Sequence, residues 1–391
     1  MRIAYITDET FPNHEASGLQ MIHTLSALAA VGVDVDLLFP VKPLAWRQDK
    51  EALRATLQAH FHATCGFGLV PLPTHLGDRR VPIKLATGVA ATRAALSGGY
   101  DLVHTRTVAP ILPCLRARVP VVFETYRPLT RQYPASRFAF KRVGRHPAFA
   151  GIITHSRLAR RAFVEDGVPA EKVETIYNGF DPSAFAVQRT PSEARALLGL
   201  PEAPTVVYTG RIAPVKNIDL LLDAAAKTQG GQWVLAGAND TEEAQPYVER
   251  ARGMGVHLPG YLTGERLTLC LQAADVLVIP PSADPLTRFG TTVLPIKLFT
   301  YVAAGRAIVA GRLPDAQELL DDGQNACLVK PDDVDALAGA VSALLADPAR
   351  RDRLARGALA TAAGLTWEAR AHRIRAFVEG RLDRARLDLA R

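Results

Sequence analysis

Cysteine is scarce in this chain, and long apolar runs are missing from it. Four cysteines lie far apart among 391 residues without paired spacing, which argues against a disulfide framework and a zinc knuckle. The histidines form no HExxH pair, so we predict no structural metal. No apolar run of about 18 residues is present, and Met1 leads directly into a strand-like segment. We therefore expect a cytoplasmic protein without a membrane span or signal peptide.

Acidic residues are missing from one long basic segment, between Thr125 and Val164. The net charge of +7 belongs entirely to the first half of the chain, and much of it lies here. The segment also carries aromatic residues, namely Tyr133, Phe138, Phe140 and Phe149. Such a face could lie on the inner surface of an anionic membrane and reach a lipid-linked acceptor, bind an acidic glycan, or simply be solvated. No recognition motif accompanies the charge, so we expect no nucleic-acid partner.

Short β-branched runs alternate with helical patterns along the whole chain, which predicts an α/β protein with parallel sheets covered by helices. Strands are predicted in the first half at 2–7, 34–39, 101–106, 120–125, 151–156 and 173–178. In the second half they are predicted at 205–210, 232–237, 256–261, 275–280, 307–311 and 326–330. Clustered prolines separate the halves. We predict two Rossmann-like, doubly wound domains, 1–183 and 184–365, followed by an amphipathic helix, 366–391, that packs back towards the first.

Ligand-binding loops are expected at the carboxyl ends of the strands, in the crevice between two such domains. After the first strand, Ser17 and Gly18 open a helix whose amides could meet an anion, although an ordinary helix cap explains them equally well. In the second domain, Gly210 permits a tight turn, and Arg211 and Lys216 precede a helix. Two cations beside free helix amides suit a departing diphosphate, although two solvated charges on a loop are the alternative interpretation.

Several segments together resemble one family. In chain order they include "VETIYNGFDPSAF", "YTGRIAPVKNIDLLLDAA", "HLPGYLTGERLTLCLQAADVLVIPP" and "LPIKLFTYVAAGRAIVA". As an ordered set that covers most of the chain, they are similar to the retaining, nucleotide-sugar-dependent glycosyltransferases of family 4, which have the GT-B fold. The resemblance implies two domains facing a central crevice, a nucleotide diphosphate sugar as donor substrate, and a glycan or lipid-linked hydroxyl acceptor. It implies no cofactor and no metal.

The resemblance also implies roles for particular residues. The amides of 290–293, ahead of a helix that is expected to begin near Leu294, match the loop that cradles the diphosphate and sugar. Lys297 resembles the lysine of the family's "SPxK" variant. The implied donor-binding residues are Gly18, Gly210, Arg211, Lys216, Gly290, Thr291, Thr292, Val293, Lys297 and Thr300. The implied catalytic residues are Arg211, Lys216, Tyr126 and Glu124.

Two positions depart from the family pattern. Thr300 replaces the carboxylate that holds the ribose hydroxyls, and the earlier acid of that pair falls at Thr292. Losing such a charged hydrogen bond costs about 1.5–3 kcal/mol. Tyr126 replaces a histidine near the reaction centre, while the neighbouring Glu124 is kept. Tyrosine is a poor base at neutral pH, but a front-face mechanism, in which the departing diphosphate oxygen takes the acceptor's proton, still allows transfer.

Two other functions stay open. A non-catalytic relative that binds a nucleotide or glycan would fit the changes at Tyr126 and Thr300. A nucleotide-sugar epimerase on the same architecture would need acid and base residues around the sugar, and paired crevice carboxylates are not apparent. No GxGxxG follows a strand, which disfavours a dinucleotide dehydrogenase. His104 and His155 could either contact a ligand or be buried structural histidines.

Overall fold

The computed structural model describes residues 1–42, 49–75, 80–289 and 293–390. The chain forms two compact units, of which the first comprises Met1–Asn178 with Trp367–Arg391 and the second comprises Gly179–Thr366. Each unit contains one parallel sheet with helices between its strands, which confirms the predicted α/β fold class.

The first unit is built on a seven-stranded parallel sheet. Its strands are β1 (Arg2–Ile6), β2 (Asp34–Pro40), β3 (Gly68–Leu72), β4 (Leu102–Thr105), β5 (Val121–Thr125), β6 (Phe149–Thr154) and β7 (Val173–Thr175). They lie in the order β3-β2-β1-β4-β5-β6-β7. The sequence prediction misses β3, a short strand that contains Pro71, and this strand lies at the sheet edge where proline is tolerated.

Helices cover both faces of this sheet. They are α1 (Ala16–Ala30), α2 (Lys50–Phe61), α3 (Arg80–Ser97), α4 (Ile111–Arg116), α5 (Leu129–Gln132), α6 (Ser136–Gly144) and α7 (Arg157–Glu165). The apolar side chains of α1 and α2 pack into the core on one face. Those of α3, α4, α6 and α7 pack into the core on the other face, so the solvent-facing sides of these four helices share one side of the unit.

The second unit is built on a five-stranded parallel sheet. Its strands are β8 (Thr205–Thr209), β9 (Gln232–Ala236), β10 (Val276–Val278), β11 (Ala307–Gly311) and β12 (Cys327–Val329), in the order β12-β11-β10-β8-β9. The strand predicted at 256–261 is wrong, because only an isolated bridge from His257 to Val234 forms there. Pro259 lacks an N–H group, and Gly260 has a φ of +81°, so strand pairing cannot continue.

The helices of the second unit are α8 (Pro191–Leu198), α9 (Ile218–Lys227), α10 (Gln245–Gly253), α11 (Gly264–Gln272), α12 (Asp284–Phe289), α13 (Lys297–Ala304), α14 (Val334–Ala346) and α15 (Pro348–Ala362). The helix expected near Leu294 is α13, and it begins only at Lys297. Pro295 explains the later start, because a proline disfavours helical backbone at the residue before it.

The last helix, α16 (Trp367–Ala390), belongs to the first unit. Ile374 and Val378 are buried in the core that α1 and α2 also form, and the Trp367 ring stacks on His23 of α1 at a centroid distance of 5.4 Å. No helix in the described part of the chain is long and apolar enough to cross a membrane.

Candidate functional site

The loop after β8 in the second unit holds several of the residues predicted to bind the donor. Gly210 has a φ of +138°, a backbone conformation that favours glycine. A side chain has no room there, because a Cβ atom would lie 2.6 Å from Nζ of Lys297 and 3.2 Å from the Tyr208 hydroxyl oxygen. The fold therefore brings Gly210 and Lys297 together, as a shared site requires.

Lys297 lies in a position that suits an anion. Its Nζ is 3.9 Å from the centroid of the Tyr208 ring. Burial, and after it the positive charge of Lys216, hold the pKa of Lys297 well below its usual range. No carboxylate in the described ranges forms an ion pair with this ammonium group. A desolvated lysine beside a second cation is stabilised when a bound anion supplies the missing charge.

Arg211 is held by a neighbouring acid rather than by a ligand. One of its Nη atoms lies 2.7 Å from a carboxylate oxygen of Glu243, and both side chains are exposed. The carbonyl oxygen of Arg211 accepts a hydrogen bond from the Tyr208 hydroxyl at 2.8 Å, which fixes the backbone of the loop. An exposed ion pair of this kind is weak, so an incoming phosphate can replace Glu243 as the partner of the guanidinium.

Asn217 and Asp332 join three loops at the carboxyl edge of this sheet. Asn217 directly follows Lys216, and its Nδ2 donates to the carbonyl oxygen of Pro281 at 2.9 Å and to Asp332 Oδ1 at 3.0 Å. The other Asp332 oxygen accepts from the Ala283 amide at 2.8 Å. Asn217 and Asp332 have φ values of +55° and +57°, which are unfavourable for residues with side chains. These bonds hold the loops after β8, β10 and β12 together.

Thr300 lies in the first turns of α13, after Lys297. Its hydroxyl donates to the carbonyl oxygen of Lys297 at 2.9 Å, so its proton is used within its own helix. The next residue, Tyr301, accepts a hydrogen bond at 2.8 Å from the amide of Thr209, which ties α13 to the end of β8. Val293 is exposed, and the predicted site residues Gly290, Thr291 and Thr292 lie outside the described residues.

In the first unit, Glu124 is the centre of a buried hydrogen-bond network. It is 0% exposed. Its carboxylate accepts hydrogen bonds from the side chains of Tyr5, Gln20, His104, His155 and Arg370. The Nε2 atoms of His104 and His155 lie 2.8 and 2.7 Å from its oxygens, so these histidines are buried structural partners. Because five donors already surround the carboxylate, this geometry favours a positioning role for Glu124 over contact with a substrate.

Two members of this network, Glu124 and His155, have pKa values shifted away from neutral pH. Burial alone would raise the pKa of Glu124, but the charge of Arg370 and the histidine hydrogen bonds hold this pKa well below its usual range. Burial lowers the pKa of His155 to about 4, against the opposing effect of its bond to Glu124. At neutral pH Glu124 is therefore a carboxylate, and His155 is a neutral imidazole.

Tyr126 follows β5 and is partly buried between cations. Its ring centroid lies 5.9 Å from Cζ of Arg106 and 5.0 Å from Cζ of Arg127. Arg106 is also within electrostatic reach of Glu9, whose pKa is raised by burial.

Gly18, in α1 of the same unit, lies so close to the Asn13 side chain that a Cβ atom would clash with it. Gly18 therefore lies in the first unit, whereas Gly210, Lys297 and Thr300 belong to the second.

The acid-free basic segment is divided between surface and core. Tyr133 and Phe138 are 61% and 81% exposed, but Phe140 and Phe149 are buried. The expectation that all four aromatic rings share one solvent face is therefore wrong for two of them, because α6 and β6 turn these rings into the core.

Comparison with known families agrees with this architecture. The model described as "Glycosyltransferase Family 4" matches residues 19–184, and the model described as "Glycosyl transferases group 1" matches residues 203–347. The chain belongs to glycosyltransferase family 4. Together the two matches cover most of both units of this glycosyltransferase.

Individual relatives are similar over nearly the whole chain. The glycosyltransferase is 27% identical over 374 residues to "Phosphatidyl-myo-inositol mannosyltransferase" of Mycolicibacterium smegmatis, covering 93% of this chain and 88% of that protein. It is 27% identical over 416 residues to "D-inositol 3-phosphate glycosyltransferase" of a Nocardioides species, covering 94% of this chain and 87% of that protein.

Solved structures show the same fold. The sucrose-phosphate synthase of Thermosynechococcus elongatus superposes with a TM-score of 0.75 at 21% identity and full coverage of both chains. Anabaena HepE in complex with UDP superposes with a TM-score of 0.71 at 18% identity, covering 97% of this chain and all of that one. These likenesses confirm the two-domain GT-B architecture of the glycosyltransferase.

Several residues of the glycosyltransferase were missed by sequence reasoning. Arg370 is a cation on the buried face of an amphipathic helix, one turn before Ile374, and that position is the signal that could have identified it. Asn217 directly before a helix is a signal for left-handed backbone. Asp332 carries no comparable local signal, because its partners Asn217 and Ala283 lie far away in the sequence.

Proposed function

We propose that this glycosyltransferase moves a sugar from a nucleotide diphosphate donor to a hydroxyl acceptor with retention of the anomeric configuration. One observation carries the proposal: the Lys297 ammonium group is desolvated beside Gly210, close to a second cation, with no carboxylate partner in the described residues. Lys216 and Arg211 lie on the adjoining loop. A nucleoside diphosphate supplies the compact double negative charge that such a group of cations stabilises.

The same cations support a reaction without a divalent metal. As the bond between the anomeric carbon and the diphosphate oxygen breaks, negative charge grows on that oxygen, and Arg211, Lys216 and Lys297 neutralise it. The acceptor oxygen then bonds to the same face of the sugar, and its proton passes to the departing diphosphate oxygen. In this scheme no side chain acts as a strong base, which is compatible with a tyrosine at position 126.

Tyr126 has a binding role in this proposal. Its phenol can donate a hydrogen bond to an oxygen of the sugar or of the acceptor. The positive charges of the neighbouring Arg106 and Arg127 favour negative charge on that sugar or acceptor oxygen. Thr300 offers a neutral oxygen where the family has an acid, so we expect weaker binding of the ribose.

For the acceptor we propose a lipid-linked or cell-envelope glycan reached at a membrane surface. Apart from Leu387 on α16, the large hydrophobic side chains that are more than half exposed in the described part of the first unit are Leu85, Val89, Val108, Leu112, Tyr133 and Phe138. They lie on or next to the helices that share one side of the unit, and the only acid between Leu102 and Val164 is the buried Glu124. Exposed apolar groups among cations suit an anionic lipid surface.

The names of relatives point the same way. The Mycolicibacterium relative is named for phosphatidyl-myo-inositol, a lipid acceptor, and the Nocardioides relative for inositol 3-phosphate. We propose that the acceptor of this enzyme likewise presents a hydroxyl near an anionic group.

The donor half of the proposal can be tested with a panel of nucleotide sugars. Thermal stabilisation and nucleoside diphosphate release are measured with and without a chelator, and the anomeric configuration of any product is assigned by NMR. We expect stabilisation by one nucleotide class, release that needs an acceptor, and no effect of the chelator. Inversion at the anomeric carbon, or full loss of activity with chelator, contradicts the proposed mechanism.

The same panel separates the other candidate functions. Stabilisation without turnover on any acceptor favours a non-catalytic binding protein, which the changes at Thr300 and Tyr126 would suit. Conversion of the donor to a different nucleotide sugar in the absence of acceptor favours an epimerase.

The membrane half is tested by sedimentation with anionic and with neutral vesicles. Phe138→Ser should weaken binding to anionic vesicles by roughly tenfold, because a buried aromatic side chain contributes about 1.5–3 kcal/mol. The control is Leu197→Ser, which removes a comparably exposed side chain from the second unit. If both variants lose the same amount of vesicle binding, or if the protein binds neutral and anionic vesicles equally, membrane binding through this face is contradicted.

A further inference from the structure

The guanidinium group of Arg370 links the two segments by which the chain leaves the first unit and returns to it. Arg370 lies in the first turn of α16, just after the chain returns to the first unit at Trp367. One of its Nη atoms donates to the carbonyl oxygens of Ile176 at 2.7 Å and Tyr177 at 2.9 Å. These residues come just before Asn178, where the chain leaves that unit. The Arg370 side chain is buried, so water does not compete for these bonds.

The same guanidinium enters the network around Glu124. Its other Nη atom lies 2.5 Å from a Glu124 oxygen, and its Nε donates to the Thr24 hydroxyl at 3.0 Å. Four of its five N–H groups are thus used inside the first unit. Because its N–H groups bond to three different parts of the first unit, the guanidinium is held in one position. The same bonds restrain the positions of its partners.

From Glu124 the network continues to the carboxyl edge of the sheet. Gln20 donates to Glu124 at 3.0 Å and accepts a hydrogen bond from the guanidinium of Arg106. Arg106 in turn contacts the Tyr126 ring. His155, which also donates to Glu124, has its ring centroid 6.4 Å from that of Tyr126. Two side-chain paths therefore lead from the α16 guanidinium to the phenol at the edge.

We infer that Arg370 is a positioning residue for sugar transfer: acting through Glu124, it sets the place of Tyr126 and anchors the two connecting segments of the first unit. The inference rests on the proposed function, since it assigns Tyr126 to the reacting groups. Neither Arg370 nor Glu124 touches a substrate in this scheme. A buried ion pair can often be replaced by uncharged residues without loss of stability, so we assign the contribution of this pair to the position of its partners rather than to the stability of the fold.

The test separates fold from positioning by comparing a single with a double variant. Arg370→Met alone leaves the Glu124 carboxylate buried without its cation, so Tm should fall by about 5 °C or more. The double variant Glu124→Gln with Arg370→Met removes both charges and should recover most of that Tm. Its kcat should nevertheless stay at least about tenfold below wild type, with a raised acceptor KM. Donor Kd should be unchanged, because Arg211, Lys216 and Lys297, the cations proposed to hold the diphosphate, lie in the second unit.

A matched control exists on the next turn of the same helix. Arg373 pairs with Glu174 at 2.9 Å and also donates to the carbonyl oxygen of Thr175, but it has no bond to the Glu124 network. The double variant Glu174→Gln with Arg373→Met should therefore keep both kcat and acceptor KM. The inference would be overturned if kcat fell as much in this control as in the Glu124 and Arg370 double variant. It would also be overturned if the Glu124 and Arg370 double variant kept the kcat of the wild type.

Amide hydrogen exchange gives a readout that does not need turnover. In the double variant at positions 124 and 370, exchange should become faster at 125–127 as well as at 176–178, whereas the control should change only near 174–176. Unchanged exchange at 125–127 overturns the inference even if the wild type transfers no sugar. Absence of transfer by wild type, with faster exchange at 125–127, instead contradicts the proposed function alone.

Discussion

Replacing Lys297 with methionine should separate ligand affinity from stability. Methionine keeps an unbranched apolar stem against the Tyr208 ring and beside Gly210, and it removes only the ammonium charge. A hydrogen bond to a charged group contributes about 1.5–3 kcal/mol, so Lys297→Met should raise the Kd for a nucleoside diphosphate roughly 10-fold to 150-fold. The corresponding nucleoside, which lacks phosphates, should bind equally well to both proteins.

The same change should raise the stability of the free protein. The pKa of Lys297 is depressed by burial and by Lys216, so the folded state holds its proton less well than the unfolded chain does. Removing the group therefore removes a penalty, and Tm should rise, by about 2–4 °C for each kcal/mol recovered in a unit of this size. Between the depressed pKa and the ordinary lysine pKa the unfolded chain binds more protons, so wild-type stability increases with pH there. The advantage of Lys297→Met should be largest at low pH and shrink as the pH approaches about 10.

The measurements are calorimetric titration with a nucleoside diphosphate and thermal unfolding at several pH values. Titration in buffers of different ionisation enthalpy should also show proton uptake on binding where Lys297 is partly neutral. Lys227→Met is the control, since Lys227 forms an exposed pair with Asp335 in the same unit. If Lys297→Met binds the diphosphate within about threefold of wild type, or unfolds at a lower temperature, the assignment of Lys297 as a desolvated phosphate ligand is refuted.

Three further predictions concern neighbouring residues of the second unit. Thr300→Glu should tighten nucleotide binding by about tenfold or more if the ribose lies over α13, whereas Thr300→Gln should do so much less; calorimetry with both decides this. Glu243→Gln releases Arg211 and should lower the Kd for a diphosphate by up to about fivefold with no change in Tm, because their exposed pair is weak. Asp332→Ala should lower the free energy of unfolding by about 1–2 kcal/mol and raise donor KM, since Asn217 loses one of its two acceptors and the Ala283 amide loses its acceptor. Unchanged chemical denaturation and donor KM in Asp332→Ala would show that the loops do not depend on this bond.

The regular elements were largely predictable from local pattern. Strands such as β1, β5 and β8 are rich in β-branched and aromatic residues, and they form within a residue or two of where the pattern indicates. The failures have local causes as well. The short β3 contains a proline, the segment 256–261 contains Pro259 and Gly260, and α13 starts late because of Pro295.

The residues of the candidate site were predictable only where they lie close together in one short segment of the sequence. Gly210, Arg211 and Lys216 lie within a single strand-loop-helix stretch, so spacing and residue type point to them. The resemblance to the family added Lys297, and the structure places its ammonium group against Gly210. The roles of Gly18, Tyr126 and Thr300 at a bound ligand stay predictions.

The sequence by itself determined the class of fold, the family and the cationic character of the loop after β8, because periodicity, motif order and charge are properties of neighbouring residues. Only the tertiary structure decided what surrounds the charges. It made Glu124 a buried acceptor for five donors, gave Arg370 two connecting segments to hold, and left Lys297 desolvated beside Lys216. Burial and partner choice depend on residues far apart in the chain, and they set the pKa and the role of each group.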